Sequence, residues 1–351
     1  MKTKKKNLLT VDEYIEEALY NKKFGYYMTK NPFGKKGDFI TAPNISILFS
    51  EMIAIWIISF WENLDCPKKF NLVELGAGDG EMMKILIKTF DRFPIFKKAC
   101  NINILEKSNF LKKKQKKNII NKNTKWLKNI EDLNNLPCIF IANEFFDALP
   151  IKQFIKKENK WYERNVKFSK KKKPKFIDLL FDMKKFERKI HFKISHKQKF
   201  IEFAPLYLKY LKIIGKKITL NNGGILIIDY GYLDKELKNT LQAISNHKYS
   251  DILDNFGKSD ITHNVNFYLI NQMIKKFGSF NITVTNQKKF LTKLGILERA
   301  EILTKNTSFI KKADIYFRIK RLIDKSSMGE LFKVMLITNN KNNFRLGFEI
   351  D

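Results

Sequence analysis

Cysteine is scarce in this chain of 351 residues. The three cysteines, Cys66, Cys100 and Cys138, are odd in number and lie far apart. They match neither the paired spacing of a zinc site nor the even count of a disulfide framework. We therefore expect no metal site and a protein that resides in a reducing compartment.

Long apolar runs are also lacking. The longest, from Met52 to Phe60, is too short to span a bilayer. Asp12 and Glu13 follow the basic N-terminus without the apolar segment of a signal peptide. We expect neither a membrane span nor a signal peptide.

Acidic residues are few: 36 Asp and Glu stand against 67 Lys and Arg, a net charge of +31. Such a charge suggests nucleic acid or an acidic membrane surface as a partner. The lysines, however, are spread along the chain instead of being clustered in one motif. Lys, Asn, Ile and Phe are favoured throughout, which we attribute to an AT-rich genome. Charge alone supplies only non-specific affinity, so we expect no specific nucleic-acid partner.

One stretch has the pattern of a strand, a glycine turn and a helix. Residues 72–75 form a short apolar run typical of a buried parallel strand. Gly76, Gly78 and Gly80 follow, and they allow the backbone to turn sharply and to approach a ligand closely. An apolar helix flank begins at Met82.

The glycine spacing disfavours a dinucleotide site or a P-loop. It is G-x-G-x-G, with Glu81 in the next position and no Lys-Ser or Lys-Thr pair. Asp79 and Glu81 stand where a diphosphate would meet the helix N-terminus, and both would repel it. Glu74 adds a third carboxylate. S-adenosylmethionine (SAM), with a sulfonium, an ammonium and a ribose, fits better than the cofactor of a nucleotide-dependent dehydrogenase. The alternative to a ligand site is an ordinary turn whose glycines serve packing alone.

Acids and an amide follow two later strands. Glu106 ends the second strand, one βαβ unit of about 30 residues beyond Glu74. An acid there can accept hydrogen bonds from both ribose hydroxyls, although a solvated loop acid is the alternative. The apolar run 138–142 leads to Asn143, Glu144 and Asp147, which we expect beside the glycines because ligands bind beyond the carboxyl ends of parallel strands. Ordinary capping of a helix by Asn143 is the alternative.

Helix geometry bears on two segments near these residues. If a helix starts at Asn143, then Glu144 and Asp147 lie one turn apart and both face the cleft. The segment from Leu111 to Lys122 is very basic and predicts a solvated helix face.

The predicted fold class is α/β, with a doubly wound Rossmann-like sheet. Its recognisable strands are residues 72–75, 102–106, 138–142 and 224–229. We predict an N-terminal helical cap over residues 1–66 and a SAM-binding core over residues 67–150 and 223–351. Residues 151–222 differ in composition and contain a hairpin pattern, which predicts an inserted substrate cover between the fourth and fifth strands.

Several segments resemble the MidA-type SAM-dependent methyltransferases, the family of the mitochondrial complex I assembly factor that methylates arginine. The matching motifs are GYY at 25–27, KGDFIT at 36–41, LVELGAG at 72–78, NEFFDALP at 143–150, DYG at 229–231 and HKYSDIL at 247–253. The octapeptide at 143–150 is the most specific of them. Ala77 departs from the family's usual proline. The resemblance covers about residues 10 to 340.

The resemblance implies transfer of a methyl group to an arginine of a protein. In the family this protein is the large quinone-site subunit of NADH:ubiquinone oxidoreductase, methylated during complex I assembly. It implies a cytoplasmic protein in a bacterium, or a mitochondrial matrix protein in a eukaryote. Two alternatives stay open: a non-catalytic, SAM-binding assembly chaperone, and a methyltransferase with a different substrate. The oligomeric state is not indicated.

Candidate residues can be named for both SAM and an arginine substrate. For SAM we predict Glu74, Gly76, Gly78, Asp79, Glu106 and Asn143. For an arginine substrate, Glu144 is the predicted main clamp of the guanidinium. Asp147 is a second clamp or the group that orients Glu144, and Asp38 is a third candidate. His247 and His263 are alternatives as a base, and a structural role is favoured for both because neither has a nearby nucleophile in sequence.

Overall fold

A computed structural model describes residues 7–30, 32, 34, 41–121, 123–169, 172–245 and 248–348. The strands of these residues are β1 (Leu8–Thr10), β2 (Phe70–Leu75), β3 (Cys100–Leu105), β4 (Lys125–Leu127), β5 (Cys138–Asn143), β6 (Lys152–Lys157), β7 (Lys160–Lys167), β8 (Lys175–Phe181), β9 (Phe200–Phe203), β10 (Gly223–Tyr232), β11 (Gln242–Ser245), β12 (Lys248–Ser250), β13 (Asp260–Thr262), β14 (Val265–Asn266), β15 (Phe280–Asn286) and β16 (Phe332–Asn339).

Helices connect these strands. They are α1 (Val11–Tyr20), α2 (Tyr26–Thr29), α3 (Ala42–Ile45), α4 (Ile47–Asn63), α5 (Glu81–Phe90), α6 (Pro94–Ala99), α7 (Asn109–Asn118), α8 (Met183–Ile190), α9 (Pro205–Asn221), α10 (Phe267–Ile274), α11 (Gln287–Lys293), α12 (Ile296–Thr304), α13 (Phe309–Ile323) and α14 (Met328–Leu331).

The central sheet has the order β15-β16-β10-β5-β2-β3-β4, with β14 beside β10. From β10 to β4 all neighbours are parallel, whereas β16 is antiparallel to both β10 and β15. Every residue of β2 and β5 is buried, because helices cover both faces of the sheet. The α/β fold class predicted from the sequence is confirmed, and its four recognisable strands are β2, β3, β5 and β10.

Two apolar layers enclose the sheet. On one face, α4, α5, α11 and α13 pack around Trp56, which is fully buried. On the other face, α1, α9 and α10 pack around Tyr14 and Ile214. The Ser46 hydroxyl accepts a hydrogen bond from the Leu48 N–H at 3.3 Å and so caps α4 at its N-terminus.

A second sheet of five strands joins the N-terminal segment to the predicted insertion. Its order is β1-β7-β6-β9, and β8 pairs with β7. β1 runs antiparallel to β7, with Thr10 opposite Asn165. The Lys152 ammonium links the two parts again, at 3.0 Å from Asp12 and 2.8 Å from Glu163. The hairpin predicted from the sequence is β6–β7; the predicted boundaries of the domains stay a prediction.

The last part of the predicted insertion is a helix that packs on the central sheet. Helix α9 packs against β5, β10 and β16, and its Leu211, Ile214 and Ile218 are fully buried there. It is the crossover helix between two parallel strands, on the opposite face from α5. The connections after β2 and β5 therefore leave in opposite directions. A crevice opens at such a point, beyond the carboxyl ends of the two strands.

Candidate active site

A cavity of about 820 Å³ lies at this crevice. Its lining includes Gly76, Gly78, Glu106, Glu144 and Asp147. A smaller cavity of about 50 Å³ shares Gly76, Gly78 and Glu144 and adds Glu74, Asp79 and Asn143. The structure thus brings eight of the nine candidate residues to two cavities that share a wall. The ninth, Asp38, lies outside the described residues.

The glycine turn is built from left-handed backbone. Gly76, Gly78 and Gly80 have φ angles of +67°, +53° and +84°, a region in which side chains are disfavoured. A Cβ atom on Gly76 would lie 2.8 Å from the Phe145 ring. The Gly76 N–H donates to the Leu105 carbonyl at 2.9 Å, which ties the turn to the end of β3.

The carboxylate of Glu106 lies at the end of β3 and lines the cavity beside this turn. One oxygen accepts from the Ser108 N–H at 2.8 Å and the other from Gln115 Nε2 at 3.0 Å. Burial raises the pKa of Glu106, and these hydrogen bonds oppose the rise. The carboxylate is held in place with lone pairs left for ribose hydroxyls.

Gln115 is a site residue that the sequence analysis missed. Its Nε2 donates to the Gly78 carbonyl at 2.9 Å as well as to Glu106, and its Oε1 accepts from the Trp126 indole N–H at 2.9 Å. The basic helix thus has a buried side in addition to the solvated face that the lysines predicted. Leu111 and Gln115, one turn apart on α7, are both buried. Their spacing within the lysine-rich stretch was the available signal.

Unpartnered acceptors lie near the glycine turn. Glu74 Oε2 and Asn143 Oδ1 are buried without a hydrogen-bond partner among the described residues. Burial, followed by the charges of Glu106 and Asp79, raises the pKa of Glu74 to about 8. A ligand that brings an ammonium group would satisfy both acceptors. The residues present therefore fit SAM: Glu74 and Asn143 would hold its ammonium, and Glu106 would hold its ribose.

Asp79 has a local partner of its own. Its Oδ1 accepts from the Glu81 N–H at 3.3 Å at the start of α5, and the Lys114 ammonium lies 3.9 Å from its Oδ2. Asp79 lines the smaller cavity only. Its assignment to SAM stays a prediction.

No helix starts at Asn143, so Glu144 and Asp147 do not reach the cavity from one helix face. β5 ends at Asn143, and residues 144–149 form bends and turns. Glu144 itself is left-handed, with φ at +49°, a strain typical of functional sites in non-glycine residues. Its N–H donates to the Ile228 carbonyl at 2.9 Å, and its Oε1 accepts from Asn143 Nδ2 at 3.2 Å. The tight turn, and not a helix, directs Glu144 and Asp147 into the cavity.

Asp229, three residues before the end of β10, supports this turn and was also missed. It is fully buried, and its Oδ2 accepts from the N–H groups of Phe146 and Asp147 at 3.1 and 3.3 Å. Its Oδ1 accepts from the Tyr230 N–H at 3.0 Å. The DYG motif contained the signal, since a carboxylate within a buried strand needs several donors. Asp229 positions Asp147 and does not line the cavity.

The two predicted clamps are hard to ionise in the absence of a cation. Burial, followed by the charge of Asp147, raises the pKa of Glu144 to about 8. Burial raises the pKa of Asp147 to about 6, against hydrogen bonds that stabilise its charge. Carboxylates with raised pKa values gain most from a bound cation, because the cation removes the penalty on the charged form.

Two stacked tyrosines also line the cavity. The rings of Tyr20 and Tyr27 are stacked with centroids 5.7 Å apart, and both residues line the cavity. The Tyr27 hydroxyl donates to Asp260 at 2.8 Å, and Asp260 is a further buried acid of the lining. These partners are 233 residues apart, so no local pattern relates them.

His263 serves the structure of this region. It is buried, its Nε2 lies 2.9 Å from the Tyr207 hydroxyl, and its backbone N–H donates to the Asp147 carbonyl at 3.2 Å. Burial lowers its pKa to about 3. It stays neutral at physiological pH, in keeping with the structural role favoured from the sequence. His247 lies outside the described residues.

Fold and site together define an α/β enzyme that binds a nucleoside-containing cosubstrate at a glycine turn. A family model for S-adenosyl-L-methionine-dependent methyltransferases matches residues 52–284. The chain belongs to that family. It is a SAM-dependent methyltransferase, and SAM is its co-substrate.

Relatives agree with this family. The chain is 29% identical to "Protein arginine methyltransferase NDUFAF7, mitochondrial" of Xenopus laevis, over 95% of this chain and 81% of that protein. It is 28% identical to the human protein of the same name, over 94% and 80%. In fold it is similar to a COG1565 superfamily member from Burkholderia thailandensis bound to S-adenosyl-homocysteine, with a TM-score of 0.79 and 22% identity, over 98% of this chain and 89% of that one.

The expected cytoplasmic location needs correction. The relatives' names place those proteins in mitochondria, which conflicts with it. A mitochondrial matrix location in a eukaryote stays a prediction. Among the described residues, no helix has the length and apolar character needed to cross a bilayer.

Proposed function

We propose that this methyltransferase modifies an arginine side chain of a protein. The observation that supports the proposal is that the buried charged side chains of the cavity are all acids. Its lining holds five acids and five cations, but the cations are exposed or half-buried, whereas Glu106, Asp147 and Asp260 are buried. The buried acids are costly without a compensating cation. A guanidinium group supplies that cation, and its planar donors match paired carboxylates.

The carboxylates would aim and activate the guanidinium. SAM supplies a methyl group made electrophilic by its sulfonium. Glu144 and Asp147 would accept hydrogen bonds from guanidinium nitrogens and hold one nitrogen at a near-attack distance of about 3–3.5 Å from that carbon. As the nitrogen–carbon bond forms and the carbon–sulfur bond breaks, the attacking nitrogen loses a proton. A carboxylate whose pKa is raised towards 8, such as that of Glu144, is suited to accept it.

The relatives support the choice of substrate class. The names of the Xenopus and human proteins include "protein arginine methyltransferase". We extend the proposal to the substrate implied by the sequence motifs, which is the quinone-site subunit of complex I or its homologue. The chain would then support complex I assembly.

The test is methyl transfer from labelled SAM to the candidate subunit and to peptides that carry arginine or lysine. We expect label on arginine only. Glu144→Gln should keep SAM affinity but lower kcat on the order of a hundredfold, the effect of losing one electrostatic contact in a transition state. Glu16→Gln is the matched control, because Glu16 lies in the same cavity but pairs with Lys107; it should transfer like wild type.

Three outcomes would contradict parts of this proposal. Equal rates for wild type and Glu144→Gln would remove Glu144 from the reaction. Label on lysine or on another acceptor would replace arginine as the substrate. SAM binding without any transfer, in the presence of a subunit that binds the protein, would favour the non-catalytic assembly chaperone.

A further inference from the structure

The turn between α12 and α13, with the first two turns of α13, stands away from the body of the protein. We define residues 305–314 as the α13 tip. Every residue from 308 to 314 is exposed, whereas a helix that lies on a protein surface buries one side. Burial along α13 starts only in its second half, with Ile319 and Leu322.

The tip carries large apolar side chains in full contact with solvent. Phe309 is 85% exposed and Ile310 is 80% exposed. Phe317 on α13 and Ile302 on α12 are further exposed apolar residues, at 64% and 69%. Single exposed apolar residues are ordinary, but adjacent ones on a projecting helix mark an interaction surface.

Lysines surround these apolar residues. Lys305, Lys311 and Lys312 are exposed on the tip, and within the described part of the chain none of them has a salt bridge. The one acid of the tip, Asp314, is held by the Arg318 guanidinium at 2.8 Å. The tip therefore presents free positive charge around a projecting apolar pair.

We propose that the α13 tip docks the protein onto an anionic membrane surface. Phenylalanine and isoleucine flanked by lysine are the composition of helices that enter the boundary between headgroups and acyl chains. Lysine is depleted in interfaces between proteins, whereas three of the ten residues of the tip are lysines. Attachment would be peripheral, since no described helix can cross a bilayer.

The position of the tip gives the docked protein a defined orientation. The other end of α13 reaches the active site, where Arg321 lines the main cavity. Arg318 Nη1 donates to the Ile45 carbonyl of α3 at 3.1 Å, and Ile45 also lines the cavity. Twelve residues of helix separate Phe309 from Arg321, a distance of about 18 Å. Docking would hold the cavity at most about that far from the lipid headgroups, whatever the identity of the methyl acceptor.

The test is co-sedimentation of the full chain with two kinds of vesicle. One is phosphatidylcholine alone, and the other contains about 30% phosphatidylglycerol, which makes its surface anionic. We expect binding to the anionic vesicles only, weakened by salt. Lys311→Glu/Lys312→Glu should weaken binding at least about twentyfold, because each lysine at the surface contributes about fivefold to the affinity. Phe309→Ser/Ile310→Ser should weaken it at least about tenfold.

Matched controls separate the tip from the charge of the whole chain. Lys184→Glu/Lys185→Glu changes the net charge equally, on exposed adjacent lysines of α8, and should bind like wild type. Leu179→Ser/Leu180→Ser removes exposed apolar residues of β8 and should also bind like wild type. In Phe309→Trp, the new indole emission should shift to the blue on binding, as for a ring that leaves water.

Two results would overturn the proposal. One is equal loss of binding in the α8 and tip charge variants, which would show attraction by net charge alone. The other is no vesicle binding by the wild type. If sedimentation then showed a dimer of the wild type that Phe309→Ser/Ile310→Ser abolished, the tip would be an interface between copies of this chain. Methyl transfer in detergent-free solution should be unchanged in the tip variants, so failure here is distinguishable from failure of the proposed reaction.

Discussion

Raising the pH from 7 to 9 should increase methyl transfer about tenfold, because Glu144 must be ionised to grip a guanidinium. Its pKa is raised to about 8. The carboxylate is then about 9% ionised at pH 7 and about 90% ionised at pH 9. Rates measured with peptide and SAM both far below their KM values report groups of the free enzyme. Under these conditions the rate should rise through pH 8.

Glu144→Gln should lose this increase in addition to its lower rate. Groups of the peptide and of SAM titrate equally with both enzymes, so the ratio of the two rates isolates Glu144. Glu74→Gln is the necessary control, because burial raises the pKa of Glu74 to about 8 as well. The rate of methyl transfer by Glu74→Gln should still rise with pH, whereas the rate of Glu144→Gln should not. The same pH profile for wild type and Glu144→Gln would refute the assignment.

Stability gives a second measurement of the same group. The pKa of Glu144 in the folded protein lies above its ordinary value of 4.5, so the folded protein binds the additional proton between about pH 4.5 and 8. The free energy of unfolding therefore falls as pH rises through this window. Each pKa unit corresponds to about 1.4 kcal/mol, but Glu144 is only partly enclosed, so we expect a loss of about 1–3 kcal/mol. In chemical denaturation, Glu144→Gln should equal wild type at pH 4 and exceed it at pH 8.5.

The remaining predictions concern the cosubstrate, the supporting turn and the surface charge. Gly78→Val should abolish SAM binding in calorimetry while the protein stays folded, because a branched side chain is disfavoured at a φ of +53°; unchanged affinity would exclude the turn as the site. Glu106→Ala should weaken SAM binding by about 1.5–3 kcal/mol, and a smaller effect would separate Glu106 from the ribose. Asp229→Ala should lower kcat about ten- to a hundredfold through misplacement of Asp147, with SAM affinity intact. DNA or RNA binding should vanish between low and physiological salt; tight, sequence-selective binding there would revive a nucleic-acid substrate.

Local patterns predicted the sheet and its glycine turn well. The apolar run at 72–75, the glycines after it and the acid at 106 lie within one βαβ unit, so short-range spacing relates them. Elements of this kind depend on neighbours in sequence, which a single chain displays.

Contacts between distant segments could not be predicted in this way. The bond from Tyr27 to Asp260 joins α2 to β13, and the bonds from Asp229 to the turn after β5 join residues 82 and 83 positions apart. The turn itself could not be distinguished from a helix, because its acids have helical spacing while the actual backbone depends on those bonds to Asp229. Gln115 was hidden since its neighbours on α7 are lysines.

The antiparallel pairing of β1 with β7 also governs the order in which the active site can form during synthesis. Thr10 meets a partner, Asn165, that leaves the ribosome more than 150 residues later. At roughly 5–20 residues per second, β1 waits roughly 8–30 seconds for the strand that holds it. α1 follows β1 directly and supplies Glu16 and Tyr20 to the cavity. A nascent chain that has completed the glycine turn but not β7 therefore has no anchored cavity wall, and methyl transfer becomes possible only after the insertion has been translated.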